Sequence, residues 1–341
     1  MPITMPAEWA RQSAVLLSWP HSDTDWAYML DDVKRCFRHI AEAIIDGGEK
    51  LIIVAPDIDE VKYDLEGVDI SNTLFLPMPT NDTWARDFGA ITIVDDGCLK
   101  LCNFKFNAWG LKFAADKDNL ITSRMAKAGA FAVPVVNCLN FVLEGGSIES
   151  DGCGTILTTS ECLLSENRNG EFSRHQIEDC LVQRLGAQRV LWLDNGALLG
   201  DDTDSHIDTL ARFVDPHTIA YVKCYDPADD HFAELEAMEC QLQAMTDVDG
   251  NRYRLVPLPL PHPIHDEDGL RLPATYANFL IMNSRVLVPV YADEVNDARA
   301  LETLAGCFPG REIVPIDCRA LIQQHGSLHC VTMQFPEGVI N

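Results

Sequence analysis

Basic residues are scarce in this 341-residue sequence: 26 Lys and Arg stand against 52 Asp and Glu, a formal balance of −26. Nucleic acids and anionic membranes are bound through a basic footprint, so neither is an expected partner. No apolar run approaches the roughly 18 residues that a membrane span needs. Residues 1–12 lack the basic start and apolar stretch of a secretion signal. The twelve cysteines include no Cys-x-x-Cys pair, which argues against zinc-finger and thioredoxin-like motifs. Scattered thiols suit a reducing compartment, so a cytoplasmic protein is expected. No linker rich in Gly, Ser or Pro divides the sequence, and residues 1–341 read as one domain.

What is present describes a globular protein with a large core: 47% of residues are hydrophobic and 23% charged. The acidic excess suits a small cationic ligand, whose approach a negative field speeds. After Asp23 and Asp25, placed to cap a helix, Met29, Val33, Phe37, Ile40 and Ile44 recur at helical spacing up to Gly47-Gly48. Four more helices are expected over 116–129, 173–186, 230–246 and 293–306. Between them the β-rich runs 14–19, 50–55, 73–78, 90–94, 155–159, 190–193, 219–224, 279–282 and 286–290 read as strands. Asn283-Ser284 reads as a hairpin turn. Five helices among many short strands predict an α/β fold built of repeated β-β-α-β units in one closed array, with a conventional two-domain α/β enzyme as the alternative.

Three clusters carry chemistry. Gly200-Asp201-Asp202-Thr203-Asp204-Ser205-His206-Ile207-Asp208 concentrates like charge, which is costly unless a cation sits among it. If extended, it puts Asp202, Asp204, His206 and Asp208 on one face, suited to a guanidinium or a metal. Asn81-Asp82-Thr83-Trp84-Ala85-Arg86-Asp87 offers a second carboxylate and an aromatic wall for a cation. Gly326-Ser327-Leu328-His329-Cys330 sets a thiol among small residues ahead of an apolar strand, a setting for a nucleophile. The neighbouring His329 is expected to be structural, pointing to the other face of the strand. His262-Pro263-Ile264-His265-Asp266-Glu267-Asp268 looks like a ligand cluster, but its proline-rich setting fits a solvated loop.

Asp87, Leu143-Glu144-Gly145-Gly146-Ser147, the Asp202–Asp208 cluster and Cys330 together resemble the agmatine deiminase family of the guanidine-modifying superfamily. The likeness extends over Met5-Pro6-Ala7-Glu8-Trp9, Cys162-Leu163-Leu164-Ser165-Glu166-Asn167-Arg168-Asn169 and Arg271-Leu272-Pro273-Ala274-Thr275-Tyr276-Ala277-Asn278-Phe279. This resemblance implies a five-bladed α/β propeller (the pentein fold) of pseudo-fivefold ββαβ units, with its active site on the axis. It implies Cys330 as nucleophile and His206 as general acid and base. Asp87 and Asp208 would hold the guanidinium, Glu144 would support the histidine, and Asp202 and Trp84 would line the pocket. The implied reaction is hydrolytic deimination of agmatine to N-carbamoylputrescine and ammonia through a covalent thiouronium, in polyamine biosynthesis, with no cofactor or metal.

The pattern departs from the family at Ala90, often Pro, and at Ser205, commonly Gly. A peptidyl- or free-arginine deiminase, a manganese ureohydrolase acting on agmatine, and a binding protein with a decayed site remain as alternatives. A homodimer is a possible assembly.

Overall fold

Lys50-Leu51-Ile52-Ile53-Val54-Ala55 is branched and apolar at consecutive positions, the composition of a strand covered on both faces. Five of its six residues are indeed buried. In the computed structural model, which describes residues 3–341, sixteen such strands form five sheets, and the fold is mixed α/β. The first sheet holds β1 (Gln12–Ser18), β2 (Lys50–Ala55) and β3 (Thr73–Pro77); the second, β4 (Ile91–Asp95), β5 (Cys98–Lys105) and β6 (Val135–Val142). The third comprises β7 (Ile148–Ser150), β8 (Thr155–Thr159) and β9 (Arg189–Leu193); the fourth, β10 (Ala211–Asp215), β11 (Thr218–Lys223) and β12 (Arg254–Pro259). The fifth contains β13 (Leu280–Ile281), β14 (Arg285–Val290) and β15 (Glu312–Asp317), after which β16 (Thr332–Pro336) returns to pair antiparallel with β1.

Each sheet repeats one pattern: an antiparallel pair, then a third strand parallel to the second. A parallel pair needs a crossover. Five helices supply it: α1 (Leu30–Gly47), α2 (Ile121–Lys127), α3 (Arg174–Leu185), α4 (Phe232–Ala244) and α5 (Glu294–Cys307). The repeated ββαβ unit expected from the sequence is therefore present. In the first sheet it is split, with β16 supplied from the far end of the sequence.

All nine expected strands lie within two residues of their bounds, and the Asn283-Ser284 turn joins β13 to β14 with Ile281 opposite Val286. Ser173 caps α3, accepting from Gln176 N in a reciprocal capping box. Asp23 and Asp25 do not cap α1, whose N-cap is Met29 without a side-chain bond. A 3-10 turn over Ala27–Met29 intervenes, leaving both carboxylates to face a cavity. The helix expected over 116–129 breaks into a 3-10 turn, Asp118–Leu120, and the shorter α2.

Candidate active site

The five units deliver site residues from equivalent places. In each, the segment just ahead of the first strand carries a functional side chain: Asp87 before β4, Glu144 before β7, His206 and Asp208 before β10, Asn278 before β13, and Cys330 before β16. Residues separated by 243 positions of sequence thus meet, as Asp87 and Cys330 lining one cavity.

Cys330 is buried and anchored by Asn278, whose Oδ1 accepts from the Cys330 thiol at 3.3 Å and from the amides of His329 (2.8 Å) and Cys330 (3.3 Å). Its sulfur lies 3.9 Å from Asp208 Oδ2. Burial, with Asp208 and Asp87 alongside, pushes the thiol well above its ordinary range.

Asp208 is fully buried. Its Oδ2 accepts from His329 Nδ1 at 2.7 Å, while Oδ1 has no partner. Burial would raise this carboxyl, but the His329 bond and charge outweigh it and hold Asp208 below the usual range. His329 does not line the cavity that Cys330 lines, but strand alternation is not the reason: it sits in a turn ahead of β16 rather than within it, and its ring bonds Asp208.

Across the site, Asp87 accepts from Gly146 N at 3.0 Å and from Trp109 Nε1 at 2.9 Å. A Cβ on Gly146 would approach His206 Nδ1 to 2.6 Å and Asp87 Oδ1 to 2.8 Å, so only glycine fits there. His206 Nδ1 is 3.6 Å from Asp87 Oδ1, and neither ring nitrogen has a hydrogen-bond partner among the described residues. Burial disfavours charge on this ring, but Asp87 overrides it and raises the imidazole well above its ordinary range. Glu144 is gripped by Arg168 Nε at 2.9 and 3.0 Å, and Glu144, Cys162 and His206 bring potential ligand atoms within 4.8 Å of one another. Arg168 already supplies a cation to that group. Likewise Arg212 bonds both Glu8 and Glu149 within the Glu8, Glu149 and His329 cluster.

The extended run expected over Asp202–Asp208 is absent. Asp204 (φ 63°) and Ser205 (φ 60°) are left-handed, and Ile207–Thr209 forms a 3-10 turn. Ser205 occupies the position where the family commonly has glycine, and its φ explains that preference. Asp201 Oδ2 accepts its amide at 2.7 Å and Glu161 its hydroxyl at 2.7 Å, which helps hold the strained turn. Asp204 consequently leaves the cluster and pairs with Lys112 and Arg168.

A cavity of about 230 Å³ ends at Cys330. Asp87, Asp202 and Trp84 line it, whereas His206, Asp208 and Glu144 are buried and do not. Phe106, Trp109 and Phe113 add aromatic walls, and Asp23, Asp25, Asp82 and Asp118 make its outer part acidic against Lys117. Burial, the largest effect at each, raises Asp82 and Asp118 to about 7 and Asp202 to about 6. The His262–Asp268 loop is largely exposed and does not line this cavity; His262 pairs with Asp293 at 2.7 Å.

The sequence matches the Porphyromonas-type peptidyl-arginine deiminase family over residues 4–336. The chain belongs to that family. Among solved structures, it is 53% identical to a Porphyromonas gingivalis protein provisionally named an arginine deiminase, with a TM-score of 0.95 over 99% of this chain and 100% of that one. A C. jejuni agmatine deiminase, in a Cys-to-Ser variant with substrate bound, is 39% identical with a TM-score of 0.91 over 98% and 97%. An Enterococcus faecalis agmatine deiminase is 30% identical with a TM-score of 0.90 over 99% and 97%. A dimethylarginine dimethylaminohydrolase at 13% identity shares the fold alone, with a TM-score of 0.52 over 95% and 100%.

Within this family member, sequence reasoning passed over three groups that touch the site: Asn278 on the thiol, Trp109 on Asp87 and Arg168 on Glu144. The Asn278 and Arg168 motifs were visible, but no local pattern tied them to Cys330 and Glu144. Trp109 stands in Asn107-Ala108-Trp109-Gly110, whose Asn and Gly suit left-handed backbone; here 108–111 all have positive φ.

Proposed function

We propose that the protein is an agmatine deiminase, converting agmatine and water to N-carbamoylputrescine and ammonia. The observation that carries this reading is the acidic, aromatic-walled cavity that ends at a buried thiol, with unpartnered Asp208 Oδ1 and His206 ring nitrogens beside it. Such orphaned buried atoms are costly unless a ligand satisfies them. A planar cation with several N–H donors answers the carboxylates. The acidic outer cavity favours a second cationic end and disfavours the carboxylate of free arginine. The agmatine deiminases among its relatives support the same substrate.

In this reading Asp87 and Asp208 fix the guanidinium, localising charge so that Cζ becomes attackable. Substrate charge offsets the two carboxylates, so the Cys330 thiol gives up its proton to solvent, His206 being already charged, and the thiolate forms the S–Cζ bond of a tetrahedral adduct. His206, charged in the empty site, gives its proton to the departing nitrogen. Ammonia leaves and an S-alkylthiouronium remains. The neutral imidazole then takes a proton from water, which attacks Cζ; the C–S bond breaks, giving the ureido product and the thiol. Glu144, held by Arg168, steadies His206, while Asp202 and Trp84 receive the rest of the substrate.

The same reading takes residues 1–341 as one catalytic domain and the five sheets as blades of a closed α/β propeller. The return of β16 to β1 and the contacts that join all five pre-strand segments, Gly146 and His206 to Asp87 and Asp208 and Asn278 to Cys330, support it. It also places the enzyme in the cytoplasm, consistent with twelve free thiols, in polyamine biosynthesis and acting as a monomer or homodimer. Among the described residues no helix is long and apolar enough to cross a membrane.

A peptidyl- or free-arginine deiminase is the second reading, favoured by the name of the 53% identical structure. Product analysis with agmatine, free arginine and an arginine peptide, with Cys330→Ala alongside, separates them. The expected result is ammonia and N-carbamoylputrescine from agmatine and none from the variant. Turnover of arginine or the peptide in preference overturns the substrate, and urea as product overturns the chemistry.

A further inference from the structure

Beneath Asp208 lies a buried charge network that the reaction above does not use. His329 Nδ1 is 2.7 Å from Asp208 Oδ2, and its Nε2 is 2.7 Å from Glu8 Oε2. Arg212 Nη2 reaches the same Glu8 oxygen at 2.7 Å, and its Nε bonds Glu149. Arg86 Nη2 stands 4.0 Å from Glu8. Glu8 Oε1 accepts from Ile281 N at 2.7 Å, which ties the start of the chain to the last blade. All six side chains are at most 8% exposed.

Geometry decides the state of the imidazole. Carboxylate oxygens only accept, so a ring with one at 2.7 Å from each nitrogen has to donate from both. Arg212 Nη2 is also 3.1 Å from His329 Nε2, a longer contact than the 2.7 Å from that nitrogen to the Glu8 oxygen, which Arg212 bonds as well. With Glu8, Glu149 and Asp208 all ionised against two guanidiniums, an imidazolium leaves this buried group neutral; burial pushes the Glu149 carboxyl upward, so the ring geometry carries the assignment.

We propose that His329, charged between Glu8 and Asp208, is a positioning residue that keeps Asp208 ionised and turned so that its free oxygen meets the guanidinium. Glu8 is the far anchor of this relay. The inference rests on the reading of Asp208 as a guanidinium ligand. Asp87, His206, Cys330, Arg86 and Arg212 also face Asp208, yet His329 alone among them hydrogen-bonds it at close range. Burial opposes ionisation of Asp208 and the imidazolium overrides it. Without that cation the carboxyl takes up a proton at higher pH and loses its hold on the substrate.

The test is kcat/KM for agmatine against pH in the wild type, His329→Gln and the Glu8→Gln/His329→Gln double variant. In the single variant the acid limb moves upward by about 1–3 pH units, the range for a lost opposite charge. In the double variant, which removes one carboxylate with the imidazole, the limb moves back toward wild type. A uniform loss with an unmoved limb, or a double variant no different from the single, overturns the relay. If His329→Gln fails to fold, ¹⁵N spectra of the unliganded, histidine-labelled wild type decide: two ring protons on His329 are expected, and one overturns the proposal. A wild type inert toward agmatine while those spectra show the imidazolium would sink the substrate reading and leave the charged relay standing.

Discussion

Trp109 donates its indole N–H to Asp87 Oδ2 at 2.9 Å from a backbone at φ 55°. Ala108, Gly110 and Leu111 are left-handed beside it. Asn107 secures this strap by accepting from Gly110 N at 3.0 Å and donating to Asn167 O at 2.9 Å. Left-handed non-glycine residues cost about 1–2 kcal/mol each, so a run of them persists only where surrounding contacts impose it. Here those contacts present one indole to one carboxylate.

Replacing that donor therefore acts on the proposed guanidinium ligand. Trp109→Phe keeps the wall and deletes one bond to a buried charge. We expect kcat/KM for agmatine to fall about 10–100-fold, matching the roughly 1.5–3 kcal/mol of such a bond. Asp87, already raised by burial, rises further, so the loss is greatest on the acid side. Steady-state kinetics at several pH values check it, and an unchanged kcat/KM would falsify the assignment.

The outer cavity makes a separate prediction. Asp82 and Asp118 titrate at about 7 and Asp202 at about 6, each raised first by burial. A raised carboxyl is neutral below its pKa, so the cavity loses negative charge as pH falls through this window. KM for dicationic agmatine should climb between about pH 7 and 6, and Asp202→Asn should flatten the lower part of that climb. A KM that ignores pH in both proteins would separate these carboxylates from substrate binding.

How much of this was legible in the sequence follows the range of the interactions. Helix α3 was readable because its signals are local, and the structure adds a capping box between Ser173 and Gln176, three residues apart. The proposed catalytic side chains stood in short motifs. Strands β12 and β15 escaped because Pro257 and Pro315 break the pattern, which a sheet tolerates at an edge, where both lie. The conformation of the acidic run, considered only as an extended segment, stayed hidden because left-handed Asp204 and Ser205 leave no periodic trace. Glu8 and His329 meet across 321 residues, a contact that no local pattern announces.

The state of the proposed nucleophile can be read without substrate. Burial, Asp208 and Asp87 raise the Cys330 thiol well above its ordinary value, so the free enzyme holds little thiolate at neutral pH. Inactivation by a neutral alkylating agent such as iodoacetamide should be slow at pH 7 and still accelerating above pH 9. A rate that levels off near neutrality would mean a stabilised thiolate and would remove the need for substrate charge to generate it.

Arg168 tests the support of the proposed catalytic histidine, His206, through stability. Its guanidinium binds Glu144 through Nε, Asp204 through Nη1, and the Thr203 carbonyl at 2.7 Å through Nη2. Glu144 is fully buried, so Arg168→Met leaves a carboxylate with no counter-charge in direct contact. Breaking one side of such a pair costs about 3–5 kcal/mol, whereas replacing both partners is often close to neutral. Arg168→Met should therefore lower unfolding stability by that order, and adding Glu144→Gln should restore a substantial part. Denaturant titrations of the wild type, Arg168→Met and the double variant measure it. If the second substitution deepens the loss instead, the damage lies in the Thr203–Asp204 turn that Arg168 also binds, and His206 is held through that turn rather than through Glu144.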